Sequence, residues 1–376
     1  MEQLRIQLIR LLSSLLKAFW IVPLKKKAVL FMSFDGKQFS DSPRAIYDEM
    51  LKTCQDFELI WAFIDVQKIT LTPGLRYVKK HSFKYFYYFC TSKFIIVNDF
   101  FETYLPVRRK QVLINTWHGG GWFKKVGLTD NRTSDYDKFF FDFQCKKHSY
   151  FVASSEYFVD TVLHSSFNYN GAILRTGMPR NALFFQNNDA LKCSIRRKFS
   201  ADENTILVLY APTFRTYTIE SNQELDLQRL ERSISDRFNK NVIILFRAHH
   251  LIDKFPVDYS SIINVTAYPD MQQLLLACDI LVSDYSSCMW DAAIQDKLVM
   301  VYAPDAQKYI DNRGFFLDIR EWPFLLAFNN DELAERIESF EQEAYLKRLH
   351  RLVSESKSYE GANAVTAISN MVLEKA

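Results

Sequence analysis

Residues 280–293 read ILVSDYSSCMWDAA, in which a short apolar run is followed by a polar turn and then by a helical segment. Ser286 and Ser287 lie where that helix would begin. A strand that leads through a loop into a helix is the repeating unit of parallel α/β sheets. Ligands bind beyond the carboxyl ends of such strands, so this stretch predicts both the fold class and the position of a site.

The same order of strand, loop and helix recurs along the chain. The pattern restarts after residues 177–180 (GMPR), which predicts two doubly wound domains, at residues 28–185 and 186–376. We expect the last helical stretch to pack back on the first domain. The predicted strands are residues 28–33, 57–64, 94–97, 111–117, 150–153, 205–210, 242–246, 280–283 and 299–302.

Composition narrows the class of protein. With 48% apolar and 24% charged residues among 376, the chain is typical of folded globular proteins. A net charge of +3, from 47 basic and 44 acidic residues, is too small to indicate a nucleic-acid partner. The six cysteines lack metal-ligand spacing, which indicates reduced thiols in a cytoplasmic protein. No cofactor is certain, and a divalent metal has no support from residue spacing.

Residues 1–27 form an unusual amino terminus. Ten large apolar residues between positions 4 and 20 are interrupted by Arg5, Arg10 and Lys17, and three lysines follow at 25–27. This pattern predicts an amphipathic helix that lies in a membrane interface, with its basic residues near anionic headgroups. The alternative is a helix packed on the protein core.

The loop after the strand at 111–117 is the first candidate site. It contains His118, Gly119, Gly120, Gly121, Lys124 and Lys125. Glycines let backbone amides approach a ligand, histidine transfers protons near neutral pH, and the lysines could offset phosphate charge. The alternative is a turn that needs glycine backbone angles, with His118 bonded to a neighbour. The whole pattern favours the functional interpretation.

Two further loops predict an anion site in the second domain. Hydroxyls of Ser286 and Ser287, backbone amides and the helix dipole could bind phosphate, although ordinary N-capping needs only one serine or Asp284. Arg247 and His249 end an apolar strand and could grip a diphosphate, with protonated His249 offsetting the charge of a leaving group. The adjacent His250 leaves open which histidine faces the ligand.

Seven short motifs, in this order, resemble one known family. They are residues 116–119 (TWHG), 124–127 (KKVG), 177–181 (GMPRN), 210–215 (YAPTFR), 247–249 (RAH), 283–287 (SDYSS) and 313–315 (RGF). The family is that of the CDP-glycerol glycerophosphotransferases and the related ribitol-phosphate transferases of teichoic acid synthesis. The resemblance spans about residues 28–330.

The resemblance implies a GT-B-like fold with the donor bound mainly by the second domain. It implies that His118 is the general base and that His249 assists the donor diphosphate. It places the donor phosphates and cytidine near Arg215, Arg247, Asp284, Ser286 and Ser287. It also implies a CDP-polyol donor, a lipid-linked saccharide or polyol-phosphate polymer as acceptor, and a peripheral location on the cytoplasmic face of the bacterial membrane.

Two departures from the family pattern concern specificity. The family often has Gly-Thr-Pro-Leu after the first histidine, where residues 119–123 read GGGWF, and proline after the second, where His250 stands. They leave open whether the polyol is glycerol or ribitol. Two rival functions remain at this point: a glycosyltransferase of the same architecture that uses a nucleotide sugar, and a non-catalytic membrane-associated scaffold.

Overall fold

The computed structural model describes residues 2–69, 73–213, 224–248 and 261–376. Within these ranges, seven parallel strands form a first sheet in the order β3-β2-β1-β4-β5-β6-β7, and six form a second in the order β10-β9-β8-β11-β12-β13. The strands of the first are β1 Lys25–Met32, β2 Glu58–Phe63, β3 Tyr77–Lys79, β4 Ser92–Val97, β5 Val112–Asn115, β6 Tyr150–Val152 and β7 Ala172–Leu174. Those of the second are β8 Thr205–Tyr210, β9 Asn241–Phe246, β10 Ile262–Asn264, β11 Ile280–Ser283, β12 Leu298–Tyr302 and β13 Leu325–Ala327.

Helices connect the strands. In the first half of the chain they are α1 Glu2–Leu16, α2 Asp41–Thr53, α3 Phe83–Thr91, α4 Asp135–Cys145 and α5 Glu156–Phe158, which continues as a π-helix over Val159–Ser166. In the second half they are α6 Asp189–Lys198, α7 Leu227–Phe238, α8 Met271–Ala277, α9 Cys288–Ala293, α10 Ala306–Asn312, α11 Asn330–Glu338, α12 Gln342–Glu355 and α13 Ala364–Lys375.

Strand β1 shows why the first sheet is buried on both faces. Val29 and Phe31 point into one hydrophobic cluster, whereas Leu30 and Met32 point into another. Because side chains alternate along a strand, an uninterrupted apolar run can fill two cores at once. Such runs made the central strands recognisable in the sequence.

The structure agrees with all nine predicted strands, which correspond to β1, β2, β4, β5, β6, β8, β9, β11 and β12. The sequence pattern did not reveal β3, β7, β10 and β13. These are the outermost strands of the two described sheets, and each is three residues long.

Strand order fixes where loops can meet a ligand. The order in which successive strands are added reverses between β1 and β4 in the first sheet, and between β8 and β11 in the second. Such switch points leave a crevice beyond the carboxyl ends of the strands. Residues 34, 98, 211–213 and 284–287 lie at these two crevices.

The chain ends by returning to the first sheet. Helix α13 packs on α2, and its Ile368 and Val372 are fully buried with Val29 and Met50. The second half of the chain therefore contributes to the core under the first sheet.

The amino-terminal segment lies against α3. Phe19, in the 3₁₀ turn Lys17–Ile21, makes an edge contact with Phe83 at 5.1 Å between ring centroids, and Arg108 Nη2 donates to the Phe19 carbonyl at 2.7 Å. Among the described residues, no helix combines the length and apolarity that a bilayer crossing requires.

We expect Ile368→Ala to destabilise the protein by about 2–5 kcal/mol, because it removes a fully buried side chain and leaves a cavity. Urea unfolding would measure the change. Leu373→Ala on the same helix is the control, since Leu373 is 38% exposed and its loss should cost little. Equal effects of the two substitutions would contradict the packing of α13 described above.

Candidate active site

Loops at the carboxyl ends of both sheets line an open cavity of about 280 Å³, here called the nucleotide-side cavity. Phe34 enters it from β1, His118 from β5, Arg247 from β9, and Ser286 and Ser287 from β11. Four residues predicted from three separate sequence motifs, His118, Arg247, Ser286 and Ser287, are thus brought together. Its lining also includes Asp41, Arg180, Thr213, Gln272 and Asp291.

The orientation of His118 suits it to accept a proton. Its Nδ1 lies 2.9 Å from the backbone carbonyl oxygen of Asn98. A carbonyl only accepts, so Nδ1 must carry the hydrogen and donate it. In the neutral ring Nε2 is then the nitrogen with a free lone pair.

Backbone strain is concentrated beside this histidine. Phe34 and Trp117 have φ values of +46° and +53°, in the left-handed region that bulky side chains avoid. The Phe34 amide donates to Asn98 Oδ1 at 2.7 Å, and the Trp117 amide donates to Asn115 Oδ1 at 2.8 Å. Asparagine side chains at the ends of β4 and β5 therefore hold the strained loops. Asn98 contacts both loops, because its backbone carbonyl also accepts a hydrogen bond from His118 Nδ1.

The three glycines allow the loop after His118 to pack directly on α9 of the second domain. A Cβ on Gly119 would collide with Ser287, and one on Gly120 would lie 2.7 Å from Trp290 Cδ1. Real Cβ atoms do not approach neighbours so closely, so any larger residue would push the loop away. The glycine run therefore allows the two domains to approach each other closely.

Beyond the glycines, the loop pairs with the second domain as a short antiparallel ladder. Lys124 bridges Phe315, the Lys125 amide donates to the Gly314 carbonyl at 3.0 Å, and the Phe316 amide donates to the Phe123 carbonyl at 3.1 Å. Gly314 has φ +87°, and a Cβ there would lie 3.0 Å from the Lys125 side chain. The two lysines are therefore located at the domain interface.

A second cavity, of about 260 Å³, lies where the ladder meets His118 and is here called the lysine-side cavity. Among described residues, only His118 and Ser287 line both cavities. The remaining lining is Trp117, Gly119, Gly121, Lys124, Val126, Gly127, Val162 and Arg313. His118 and Ser287 therefore stand between two spaces of similar size.

The two serines divide their tasks. Ser286 Oγ accepts from the Cys288 amide, at the first residue of α9, at 3.3 Å. The Ser287 hydroxyl makes no hydrogen bond with another described residue, and it faces both cavities. One hydroxyl is thus bonded to the backbone at the start of α9, while the other is available to a ligand.

Arg247 and Asp284 are both fixed by the protein. Arg247 Nη1 donates to the Tyr268 carbonyl at 2.6 Å, and burial lowers the pKa of Arg247. The buried Asp284 carboxylate accepts from the Thr213 amide at 3.0 Å and from the Tyr285 amide at 2.6 Å. It shapes the loop after β8, and the residues that line the two cavities do not include it.

Arg215 and His249, the other predicted donor residues, lie outside the described residues. Within the described ranges, no group of three or more His, Cys, Asp or Glu side chains is arranged to hold a metal ion.

A buried charge network joins the two domains beneath the cleft. Arg180 donates to Asp41 Oδ2 at 2.7 Å, to Asp291 Oδ2 at 2.7 Å and to the backbone carbonyl of His118 at 2.9 Å. Asp41 belongs to α2 and Asp291 to α9, so one guanidinium connects both domains to the loop that carries the histidine. Glu360 joins the network through Asn181 at 3.1 Å.

The comparison with protein families decides the assignment. The family model for CDP-glycerol:poly(glycerophosphate) glycerophosphotransferase matches residues 14–374. The chain belongs to this family. The resemblance drawn from the seven motifs is confirmed, and so is the assignment to the transferases.

Two curated relatives of this chain are named for different polyols. A teichoic acid poly(glycerol phosphate) polymerase of Bacillus spizizenii strain W23 is 28% identical over 84% of this chain and 83% of its own. A teichoic acid poly(ribitol-phosphate) polymerase of the same strain is 26% identical over 86% of this chain, which spans about half (53%) of that relative. Proteins named for two different polyols are thus about equally similar to it.

A solved structure supports the fold of this glycerophosphotransferase-family chain. The wall teichoic acid polymerase TagF superposes with a TM-score of 0.83 at 25% identity, covering 99% of this chain and 96% of that one. The predicted GT-B-like arrangement of two doubly wound domains facing a cleft is confirmed.

Sequence motifs did not reveal the other charged members of the network around Arg180. The motif at 177–181 contains Arg180, but Asp41, Asp291 and Glu360 carry no local signal, since they lie 139, 111 and 180 residues away from it along the chain. The one hint was the position of Arg180 at the end of the first series of strands.

Glu360 is a buried carboxyl group of this network. Burial raises the pKa of Glu360 to about 7, and the nearby Asp291 carboxylate acts in the same direction. Hydrogen bonds from Trp290 Nε1 at 2.9 Å and the Met178 amide at 3.0 Å act against the rise. A carboxyl whose folded pKa exceeds its unfolded value favours folding most at low pH.

We therefore expect stability to fall as the pH rises from about 4.5 to 7, with Glu360 contributing up to about 3 kcal/mol of that loss. Glu360→Gln should flatten this part of the curve, because glutamine does not ionise. Urea midpoints between pH 4.5 and 8.5 would measure it. Glu343→Gln, at an exposed position on α12, is the control and should leave the profile unchanged.

Proposed function

We propose that the chain transfers a polyol phosphate from a CDP-polyol to a hydroxyl of a teichoic acid-type acceptor and releases CMP. The observation that carries this proposal is the position of His118. Its Nε2 is left free by the bond from Nδ1 to Asn98, and its ring borders both cavities. A base between two substrate spaces can serve an acceptor on one side and a donor on the other.

The reaction follows from that position. His118 Nε2 takes the proton of the acceptor hydroxyl, whose oxygen attacks the phosphorus that carries the polyol. The bond from this phosphorus to the bridging oxygen of the diphosphate breaks, and CMP leaves with the electron pair. Phosphoryl transfer depends on positioning and on stabilising charge more than on covalent catalysis.

Donor binding is assigned to the second domain. The Ser287 hydroxyl is available to an oxygen of the transferred phosphate, while Arg247, held by the Tyr268 carbonyl, offers its remaining N–H groups. We assign Arg215 and His249 to the leaving diphosphate on the strength of their motifs alone. Asp284 has a positioning role in this scheme, because its carboxylate holds the loop after β8.

We assign the protein to the cytoplasmic face of the membrane, with a lipid-linked acceptor. The amino-terminal helix supports this assignment: Leu8, Leu11 and Leu15 recur at helical spacing on one face and are 53%, 58% and 62% exposed. Exposed Lys17 and Lys84 lie in the same region, where Phe19 contacts Phe83. Apolar side chains beside basic ones are typical of helices that lie in a lipid interface.

Replacing His118 by alanine should lower CMP release about 10²–10⁴-fold, because the general base is lost, while donor binding is retained. Release would be measured from CDP-glycerol and from CDP-ribitol in turn, with a lipid-linked saccharide acceptor that ends in a polyol phosphate. His350→Ala, on the exposed surface of α12, should keep full activity. Normal release by a folded His118→Ala protein, or turnover of nucleotide sugars instead of CDP-polyols, would overturn the proposal.

Replacing Leu8, Leu11 and Leu15 together by serine should abolish most co-sedimentation with vesicles that contain anionic lipid, since the apolar contact is removed. Serine at Leu51 and Leu373, two exposed leucines on other helices, is the control. If the triple variant binds vesicles as well as the control does, the interfacial role of the helix is refuted.

A further inference from the structure

The lysine-side cavity holds a cation that no described side chain pairs with directly. Lys124 makes no hydrogen bond or ion pair with any described residue, although its side chain lines the cavity beside His118. Burial lowers the pKa of Lys124 to about 8, and the neighbouring Arg313 acts in the same direction. The Asp284 carboxylate acts against this fall, but it already accepts from the Thr213 and Tyr285 amides. A partly buried ammonium with no partner is costly, and an anionic ligand would remove that cost.

Arg313 adds a second positive charge to this cavity. Its Nε donates to the Lys125 carbonyl at 2.9 Å and pairs with Asp130 Oδ2 at 3.2 Å. Asp130 is shared with Arg132, whose Nη2 lies 2.8 Å from Oδ2. The Asp130 carboxylate is therefore shared by two arginines and makes no ion pair with Lys124.

Geometry separates this cavity from the one assigned to the nucleotide. The nucleotide-side cavity is lined by the loops after β8 and β9, whereas the lysine-side cavity is lined by the ladder and residues 117–127. They meet at His118 and Ser287. In an in-line displacement the attacking and leaving oxygens lie on opposite sides of the phosphorus. If the CMP portion lies on the nucleotide side, the acceptor approaches from the lysine side.

We propose that Lys124 and Arg313 bind the terminal phosphodiester of the acceptor, so that the enzyme prefers an acceptor that already ends in a polyol phosphate. This inference rests on the proposed function, and it concerns the acceptor alone. A phosphodiester carries one negative charge and two free oxygens, which suits one ammonium and one guanidinium. Held there, it would direct the hydroxyl of the last polyol towards His118.

The test compares two acceptors that differ by one group: a lipid-linked disaccharide with and without a single terminal glycerol phosphate. We expect Lys124→Met to raise the KM of the phosphorylated acceptor about 10- to 100-fold, the range for losing a hydrogen bond to a charged group. The KM of the CDP-polyol should change less than twofold, and the KM of the unphosphorylated acceptor should change little.

Two further variants show whether misfolding accounts for the effect of Lys124→Met. Lys124→Arg keeps the charge and should restore most of the preference for the phosphorylated acceptor. Lys146→Met removes an exposed lysine that directly follows α4 and should behave as the unchanged protein. Titration calorimetry with a soluble glycerol-phosphate dimer gives a readout independent of turnover, and binding should weaken in Lys124→Met by the same factor.

The outcomes separate this inference from the proposed function. If Lys124→Met raised the KM of the CDP-polyol and left the KM of the phosphorylated acceptor unchanged, the cavity would bind the donor, and the inference would be overturned. Equal KM values for the two acceptors in the unchanged protein would overturn it as well, with the proposed function intact. Failure of the unchanged protein to release CMP from any CDP-polyol with either acceptor would instead refute the proposed function.

Discussion

Arg180 lies buried between two carboxylates that belong to different domains, and its guanidinium also binds the backbone of His118. A buried charge is tolerated only where its partners are in place, and removing one partner of such a group typically costs about 3–5 kcal/mol. The relative position of α2, α9 and the loop of His118 is therefore restricted to arrangements that satisfy one side chain. Both cavities depend on that restriction, because each is lined by residues from both domains.

The glycine run and the ladder extend the same restriction along the loop. Gly119 and Gly120 allow contact with α9, and residues 123–125 then pair with 314–316. Between these two contacts the backbone has little conformational freedom. The loop therefore keeps His118 in the cleft and does not fold over the cleft. The strain at Phe34 and Trp117 is consistent with this, since strained backbone persists only where the surroundings determine it.

The central strands and several residues that meet at their ends were predictable, whereas the edge strands and the long-range partners were not. Buried parallel strands are continuous apolar runs, and β8 and β11 were predicted with their observed bounds for that reason. An edge strand of three residues, such as β3, needs few apolar side chains and leaves almost no pattern. His118 and Ser287 follow strands and were found from their loops. Asp291 and Glu360 become neighbours of Asn181 only in the folded chain.

The position of Ser287 links domain arrangement to chemistry. His118 is supplied by the first domain and Ser287 by the second, and both line the two cavities. In the reaction proposed above, the phosphorus that is transferred lies near both residues. A small rotation of one domain would separate the base from the hydroxyl without changing either residue. Arg180, the ladder and α13 resist such a rotation at three separate places along the interface. Because positioning supplies much of the rate in phosphoryl transfer, residues that never touch the substrate are expected to control it through this geometry.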